Sequence, residues 1–214
     1  MPPISSSLSN TSASSDVRKP KEEEHTSNSH VLEHPTKELK TSEAVCSFDV
    51  FDTCLTRVFA QSTGLFFELA KRVLKEKPHG HYREIISELT RYRIKTESRV
   101  RENHRKGLEE IDLGKIYRHM ESLSEWDIDA ATMMQAELEL ELECVRPILT
   151  TLNQVRELRK SHRILFISDI YLPEETVRQM LEKLGFWDPA DKLYVSSKVG
   201  LIKWSGNLFK HVLE

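Results

Sequence analysis

Two short apolar runs, each ending on a polar side chain that a buried strand does not require, constrain this chain more than any other feature. Val45-Cys46-Ser47-Phe48-Asp49-Val50 reads as a buried strand ending at an acid, and Arg163–Ser168 (RILFIS) as a second such strand, followed at once by Asp169. A third strand is expected at 192–196 (KLYVS). Between them the spacing is helical. Leu65, Phe66, Leu69, Val73 and Leu74 fall at helix periodicity until Pro78-His79-Gly80 breaks the run. A helix at 82–106 carries the apolar stripe Ile85, Ile86, Leu89, Tyr92 and Ile94, and helices at 113–123 and 129–145 follow, so 65–145 reads as a helical block without a convincing strand. Glu137, Glu139, Glu141 and Glu143 alternate with Leu138, Leu140 and Leu142, yet their charge density and the helical run from Ala130 favour a helix. Further helices are expected at about 150–160, at 173–184 with Gly185 as its C-terminal cap, and from Gly206 onward. Strands alternating with helices make parallel βαβ units, so the class is α/β, and ligands then sit beyond the carboxyl ends of the strands. That rule directs attention to 49–53, 168–169 and 196–203.

Composition changes sharply near Ala44. The first 44 residues hold nine of the types AVILMFWYC and no aromatic, against 73 in the other 170. With ten Ser, four Thr and the run Glu22-Glu23-Glu24, residues 1–44 cannot bury enough apolar area to offset their ordering entropy, and they are expected to be a disordered tail. Seven acidic residues against five basic ones separate this tail from a transit peptide, and residues 1–10 lack the pattern of a signal peptide. The remaining body is long enough to bury its own core. A net charge of −3 argues against nucleic acid as a partner, and no apolar run approaches the ~18 residues of a membrane span. A soluble, cytoplasmic protein is expected. Cys46, Cys54 and Cys144 form no CxxC pair, which argues against a disulfide framework and a zinc site; each is expected to be a small buried hydrophobe.

The three stretches that follow the strands, taken in order, resemble the motifs of the haloacid dehalogenase-like (HAD) hydrolase superfamily. The first motif of that family is a strand ending in a nucleophilic Asp, matched by Phe48-Asp49-Val50-Phe51-Asp52-Thr53. The second is a strand ending in Ser or Thr, matched by Leu165-Phe166-Ile167-Ser168; the third is a Lys before a helix, matched by Lys203. The wording SFDVFDT, FISDIYLP and KWSGNLF is similar to a bacterial-type subgroup with a helical cap between the first two motifs. The resemblance covers about 45–214. It implies a HAD-like Rossmannoid parallel sheet with an inserted α-helical cap, 45–62 and 146–214 forming the core and 63–145 the cap. It further implies Asp49, Ser168 and Lys203 as catalytic residues, and Thr53, Ser168 and Lys203 as substrate-binding ones. A Mg²⁺ ion would be held by Asp49 and the backbone carbonyl of Phe51, and the substrate would be a small phosphorylated molecule cleaved through an aspartyl intermediate.

Elementary chemistry agrees with these roles. A carboxylate is ionised at neutral pH and attacks without a general base, but its approach to a phosphate needs nearby positive charge, for which Lys203 is the obvious source. Each residue also has a plainer reading. Asp49 could form the turn, Ser168 could cap it, and Lys203, beside Lys198, could be a surface charge; for Asp169 a structural or solvated role is favoured. The basic run Arg91, Arg93, Lys95, Arg99, Arg101, Arg105 and Lys106 is expected to be a solvated helix face, because Glu84, Glu88, Glu97, Glu102 and Glu109 interleave with it at ion-pair spacing.

Two departures from the family pattern matter. Phe51 stands where most phosphatases of the family carry an acid that protonates the leaving group; Asp52, one position on, is the nearest acid. The family's fourth motif, an acidic pair that completes the Mg²⁺ site, is expected beyond Lys203 and does not occur before Glu214. The expectation is therefore a chain lacking the C-terminal strands, with an open edge at the strand carrying Asp49 and impaired activity. A metal-independent dehalogenase-type hydrolase and a non-catalytic HAD-like binding module or gene remnant are the alternatives.

Overall fold

The computed structural model describes residues 44–74, 81–104, 109–120, 123 and 126–214. The expected disordered tail, Ala44 apart, and the break at Pro78-His79-Gly80 lie outside the described residues. Three strands, β1 (Val45–Asp49), β4 (Arg163–Ser168) and β5 (Lys192–Val195), form a parallel sheet in the order β1-β4-β5. β4 is the central strand. It is apolar along nearly its whole length because a parallel sheet is covered on both faces, and Phe166 at its middle is fully buried between Phe48 and Trp187. Pairing runs Phe48 with Phe166, Asp49 with Ile167 and Ser168 with Val195. This register brings the carboxyl ends of the three strands close together, with Ile167 between Asp49 and Tyr194 and Ser168 one residue further on, beside Val195.

The chain enters and leaves the helical insert through a short antiparallel ribbon, β2 (Leu55–Arg57) with β3 (Val145–Pro147). The sequence reading had no strand here, since three residues are too few for alternation to register. The insert contains α1 (Gly64–Leu74), α2 (Tyr82–Asn103), α3 (Leu113–Arg118) and α4 (Ala130–Cys144). Asp112 caps α3 by accepting the Lys115 amide at 2.8 Å, and Asp129 caps α4 through the Thr132 amide at 2.8 Å. The glutamates that alternate with leucines in α4 are sorted by the helical turn. Glu137 and Glu141, four apart, face inward and are buried, while Glu139 and Glu143 are exposed.

The buried stripe of α2 is Ile86, Leu89, Arg93, Thr96 and Val100. This corrects the expectation of a solvated basic face at one position: Arg93 is 0% exposed. Its guanidinium makes a two-point ion pair with Glu137 of α4, at 2.8 Å for each bond, and lies 4.4 Å from the ring centre of Phe66. Burial alone would lower its pKa, but Glu137 and the neighbouring tyrosines hold it well above the ordinary value. Spacing cannot reveal this arrangement, because the partner carboxylate comes from another helix.

After the insert, α5 (Leu149–Leu158) leads to β4, and α6 (Glu174–Lys183) joins β4 to β5. Gly185, with φ of 77°, closes α6 as expected. A single helical turn, α7 (Ser196–Val199), and α8 (Asn207–Leu213) complete the described chain. The helix expected at 113–123 stops at Arg118. No helix among the described residues is long and apolar enough to cross a membrane.

Candidate active site

Asp49 ends β1, and the chain turns immediately. The amides of Cys54 and Leu55 both donate to the Val50 carbonyl, at 2.9 and 3.0 Å, and Asp52 takes the left-handed conformation with φ of 58°. Asp52 tolerates this geometry better than most residues, being short and polar. It is exposed, and its carboxylate accepts the Thr56 hydroxyl at 3.3 Å. Thr53 stands in the same turn, half-buried.

The Asp49 carboxylate is held from one side. Its Oδ1 accepts the Val50 amide at 2.7 Å and lies 2.7 Å from Lys203 Nζ. No hydrogen bond among the described residues reaches Oδ2, so one oxygen is oriented and the other is left without a partner among them on a half-exposed side chain. Lys203 Nζ also donates to the Ile167 carbonyl at 3.5 Å. Ser168, one residue past the Ile167 that pairs with Asp49, is 1% exposed, and its hydroxyl has no hydrogen-bond partner among the described residues. A buried hydroxyl without a partner costs free energy on the order of 1–3 kcal/mol unless something supplies one. The structure thus brings together Asp49 and Lys203, the first and third motifs, beside Ser168 of the second.

Asp169 has a defined structural task. Both its oxygens accept the backbone amide of Lys203, at 3.0 and 2.9 Å, which anchors the lysine loop beneath its own side chain. Burial pushes the Asp169 carboxyl up, against the opposing pull of the Lys203 amide. It does not cap the next helix, whose N-terminal boundary residue is Pro173.

Phe51 is half-buried, and the Arg57 guanidinium sits 4.3 Å from its ring centre. Arg57 in turn makes a bidentate pair with Glu141, at 2.7 and 2.8 Å, tying the turn after Asp49 to α4. A cavity of about 300 Å³ opens beside these groups, lined among others by Arg57, Phe66, Glu97, Arg101, Asp169 and Tyr171. Its walls come from the ribbon, the helical insert and the segment after β4, and its size suits a small ligand. Sequence reasoning missed Arg57, since nothing in its spacing sets it apart. Ser196 lies in the stretch flagged after the third strand, but its role was not legible: its hydroxyl takes the Ile170 amide at 2.8 Å and donates to Glu110 at 3.1 Å. Arg101, read as part of a solvated face, pairs with that same Glu110 at 2.6 Å.

The expected Mg²⁺ ligands were Asp49 and the Phe51 carbonyl. Mg²⁺ takes about six oxygens in strict octahedral geometry. Among the described residues no group of three or more His, Cys, Asp or Glu side chains stands where it could hold a metal ion, and Asp49 is already paired with Lys203. The described side chains therefore do not by themselves complete a magnesium site, and most of the ligands would have to come from backbone, water or substrate oxygens. Cys54 is no competing nucleophile: burial, and secondarily Asp49, push its thiol up to about 12.

Among solved structures the chain is similar to the HAD-hydrolase YfnB from Bacillus subtilis, a structure bound to magnesium. Identity is 17%, the alignment covers 79% of this chain and 72% of that one, and the TM-score is 0.51. It is also similar to the L-2-haloacid dehalogenase PA0810, with 16% identity, coverage of 79% and 69%, and a TM-score of 0.50. No family model and no curated protein matches the sequence. At these identities the likeness is one of fold, and the chain has the HAD-like α/β fold that its motifs resemble.

Proposed function

We propose that this chain is a HAD-type hydrolase of small phosphorylated molecules, with Asp49 as nucleophile and the helical insert as its cap. The observation that carries the reading is the 2.7 Å contact between Lys203 Nζ and Asp49 Oδ1 at the carboxyl end of the parallel sheet, next to the unpartnered Ser168 hydroxyl. Asp49 Oδ2 attacks phosphorus, the bond from phosphorus to the ester oxygen breaks, and the leaving oxygen keeps the electron pair. Water then attacks the aspartyl phosphate, releasing phosphate and restoring the carboxylate. Two unit charges about 4 Å apart repel by ~4 kcal/mol at an effective dielectric of ~20, so Lys203 is needed between nucleophile and phosphate. The Ser168 hydroxyl donates to a phosphate oxygen and Thr53 lines the same turn. Phe51 has no proton to give, so the departing oxygen takes one from solvent, and esters with good leaving groups react best. Free thiols at Cys46, Cys54 and Cys144 suit a reducing cytoplasm.

A second reading is favoured by Phe51 specifically. A carbon–halogen bond needs no acid on departure, since halide leaves with its electron pair; Asp49 would form a carboxylic ester that water cleaves. One set of assays separates the two. Release of p-nitrophenol from p-nitrophenyl phosphate, abolished by Asp49→Asn and cut ~10²–10³-fold by Lys203→Ala, is expected from the phosphatase. Chloride release from L-2-chloropropionate with no phosphate hydrolysis would replace it by the dehalogenase. Both assays are run with Mg²⁺ and with a chelator, and turnover that survives Asp49→Asn would overturn both readings.

A further inference from the structure

The loop that carries Lys203 is held at both ends by glycines in the left-handed conformation, Gly200 with φ of 80° and Gly206 with φ of 78°. Between them one anchor comes from neither the sheet nor the loop. Glu109, from the segment of the helical insert between α2 and α3, accepts the Ile202 amide at 3.0 Å and the Ser205 hydroxyl at 2.7 Å on Oε2. Its Oε1 accepts the Asn207 side-chain amide, and its own backbone amide donates to the Gly200 carbonyl at 3.1 Å. One residue thus touches the loop at positions 200, 202, 205 and 207, on both sides of Lys203. These donors favour the charged form, and the Ile202 amide first, then Ser205 and Asn207, hold the Glu109 carboxyl below its ordinary value. The next residue, Glu110, reaches the second motif in parallel: it accepts the Ser196 hydroxyl, and Ser196 accepts the Ile170 amide, two residues beyond Ser168.

We propose that Glu109 is the positioning residue for Lys203, so that the helical insert, through this one carboxylate, sets where the lysine ammonium stands relative to Asp49. This rests on the reading of Lys203 as the charge partner of the nucleophile. Asp169 fixes the loop at the Lys203 amide alone, whereas Glu109 holds it on either side of Lys203 and ties it to the helical insert. Since only an ammonium within a few ångströms of Asp49 offsets the repulsion of a phosphate, loss of Glu109 lowers turnover without touching the substrate.

The test reads Lys203 itself. Acetylation of lysines by an N-hydroxysuccinimide ester, followed by peptide mass spectrometry, gives the rate at Lys203 against exposed Lys160 as reference. In the wild-type chain Lys203 reacts slowly, because its ammonium is held by Asp49. Glu109→Ala is expected to raise the Lys203 rate several-fold, in the direction of Asp49→Asn, at a temperature well below its melting point, and to lower kcat by up to ~10²-fold. Glu109→Gln is expected to restore both, since its carbonyl oxygen still accepts the Ile202 amide and the Ser205 hydroxyl, one on each side of Lys203. Should Glu109→Ala not fold, Ser205→Ala combined with Asn207→Ala removes two contacts from the loop side and must give the same rise. An unchanged Lys203 rate in these variants would overturn the proposal whether or not the chain is active. A raised rate in a chain that hydrolyses neither substrate would uphold the positioning while the proposed function fails.

Discussion

Position 51 shows how one side chain sets the reach of the site. Phe51 lies under the Arg57 guanidinium, 4.3 Å from its ring centre, and Arg57 is bound to the buried Glu141. Restoring an acid by Phe51→Asp would place a carboxylate beside that guanidinium, which keeps it ionised and poor at giving a proton. The expected rise in turnover of alkyl phosphates relative to p-nitrophenyl phosphate is therefore about tenfold at most, well short of the ~10²–10⁴ typical of general acid catalysis. The ratio of kcat/KM for the two esters measures it. Cys54 gives a second residue-scale expectation. With its thiol pushed up to about 12 by burial and by Asp49, it stays protonated at pH 8 and unreactive toward a thiol reagent in the native chain. Labelling of Cys54 at the rate of a free thiol in native buffer would contradict the buried turn.

At the scale of elements, the joint between α2 and α4 depends on a charge where the helix pattern calls for an apolar residue. Arg93 and Glu137 are both 0% exposed, and the Tyr117 hydroxyl donates to Glu137 at 2.6 Å. Removing one partner strands the other without water, so Arg93→Met is expected to cost about 3–5 kcal/mol in urea unfolding. The double change Arg93→Met with Glu137→Leu should recover much of that loss, because neither charge is then left buried alone. A double variant as unstable as the sum of the singles would show that the pair contributes through packing and not through charge.

For the whole molecule, the apolar cluster is continuous. It runs from Phe48 and Phe166 of the sheet to Leu65 of α1, Leu89 of α2 and Leu140 of α4. Ion pairs cross the same boundary, as between Arg57 of the ribbon and Glu141. Insert and sheet are therefore expected to unfold together. Two tryptophans report on the two parts: Trp126 packs on Tyr92 in the insert, and Trp187 on Phe166 against the sheet. Single-tryptophan variants retaining one or the other should give the same urea midpoint, coincident with that of circular dichroism. Midpoints that separate would make the insert an independently folding unit.

Lys203 was singled out by its resemblance to a family motif, whereas the strands of the sheet, the helical character of the insert and the strand-end positions of Asp49 and Ser168 were legible in the sequence itself. Each rests on local information: an apolar run of strand length, a periodicity of 3.6 residues, or a polar residue at a strand's end. Even the glutamates of α4 could be assigned to a helix. Which of them turns inward was not legible, and neither was the burial of Arg93, because a charge is buried only where another element brings its partner. The ribbon of Leu55–Arg57 with Val145–Pro147 was invisible for the same reason, its pairing joining residues far apart in the chain. So was Glu109, one acid among many along the insert, whose distinction is that the fold lays the loop of Lys203 against it. Local pattern determines elements and their ends; contacts between distant elements decide which charges are buried, what holds the lysine in place and hence what the site can do.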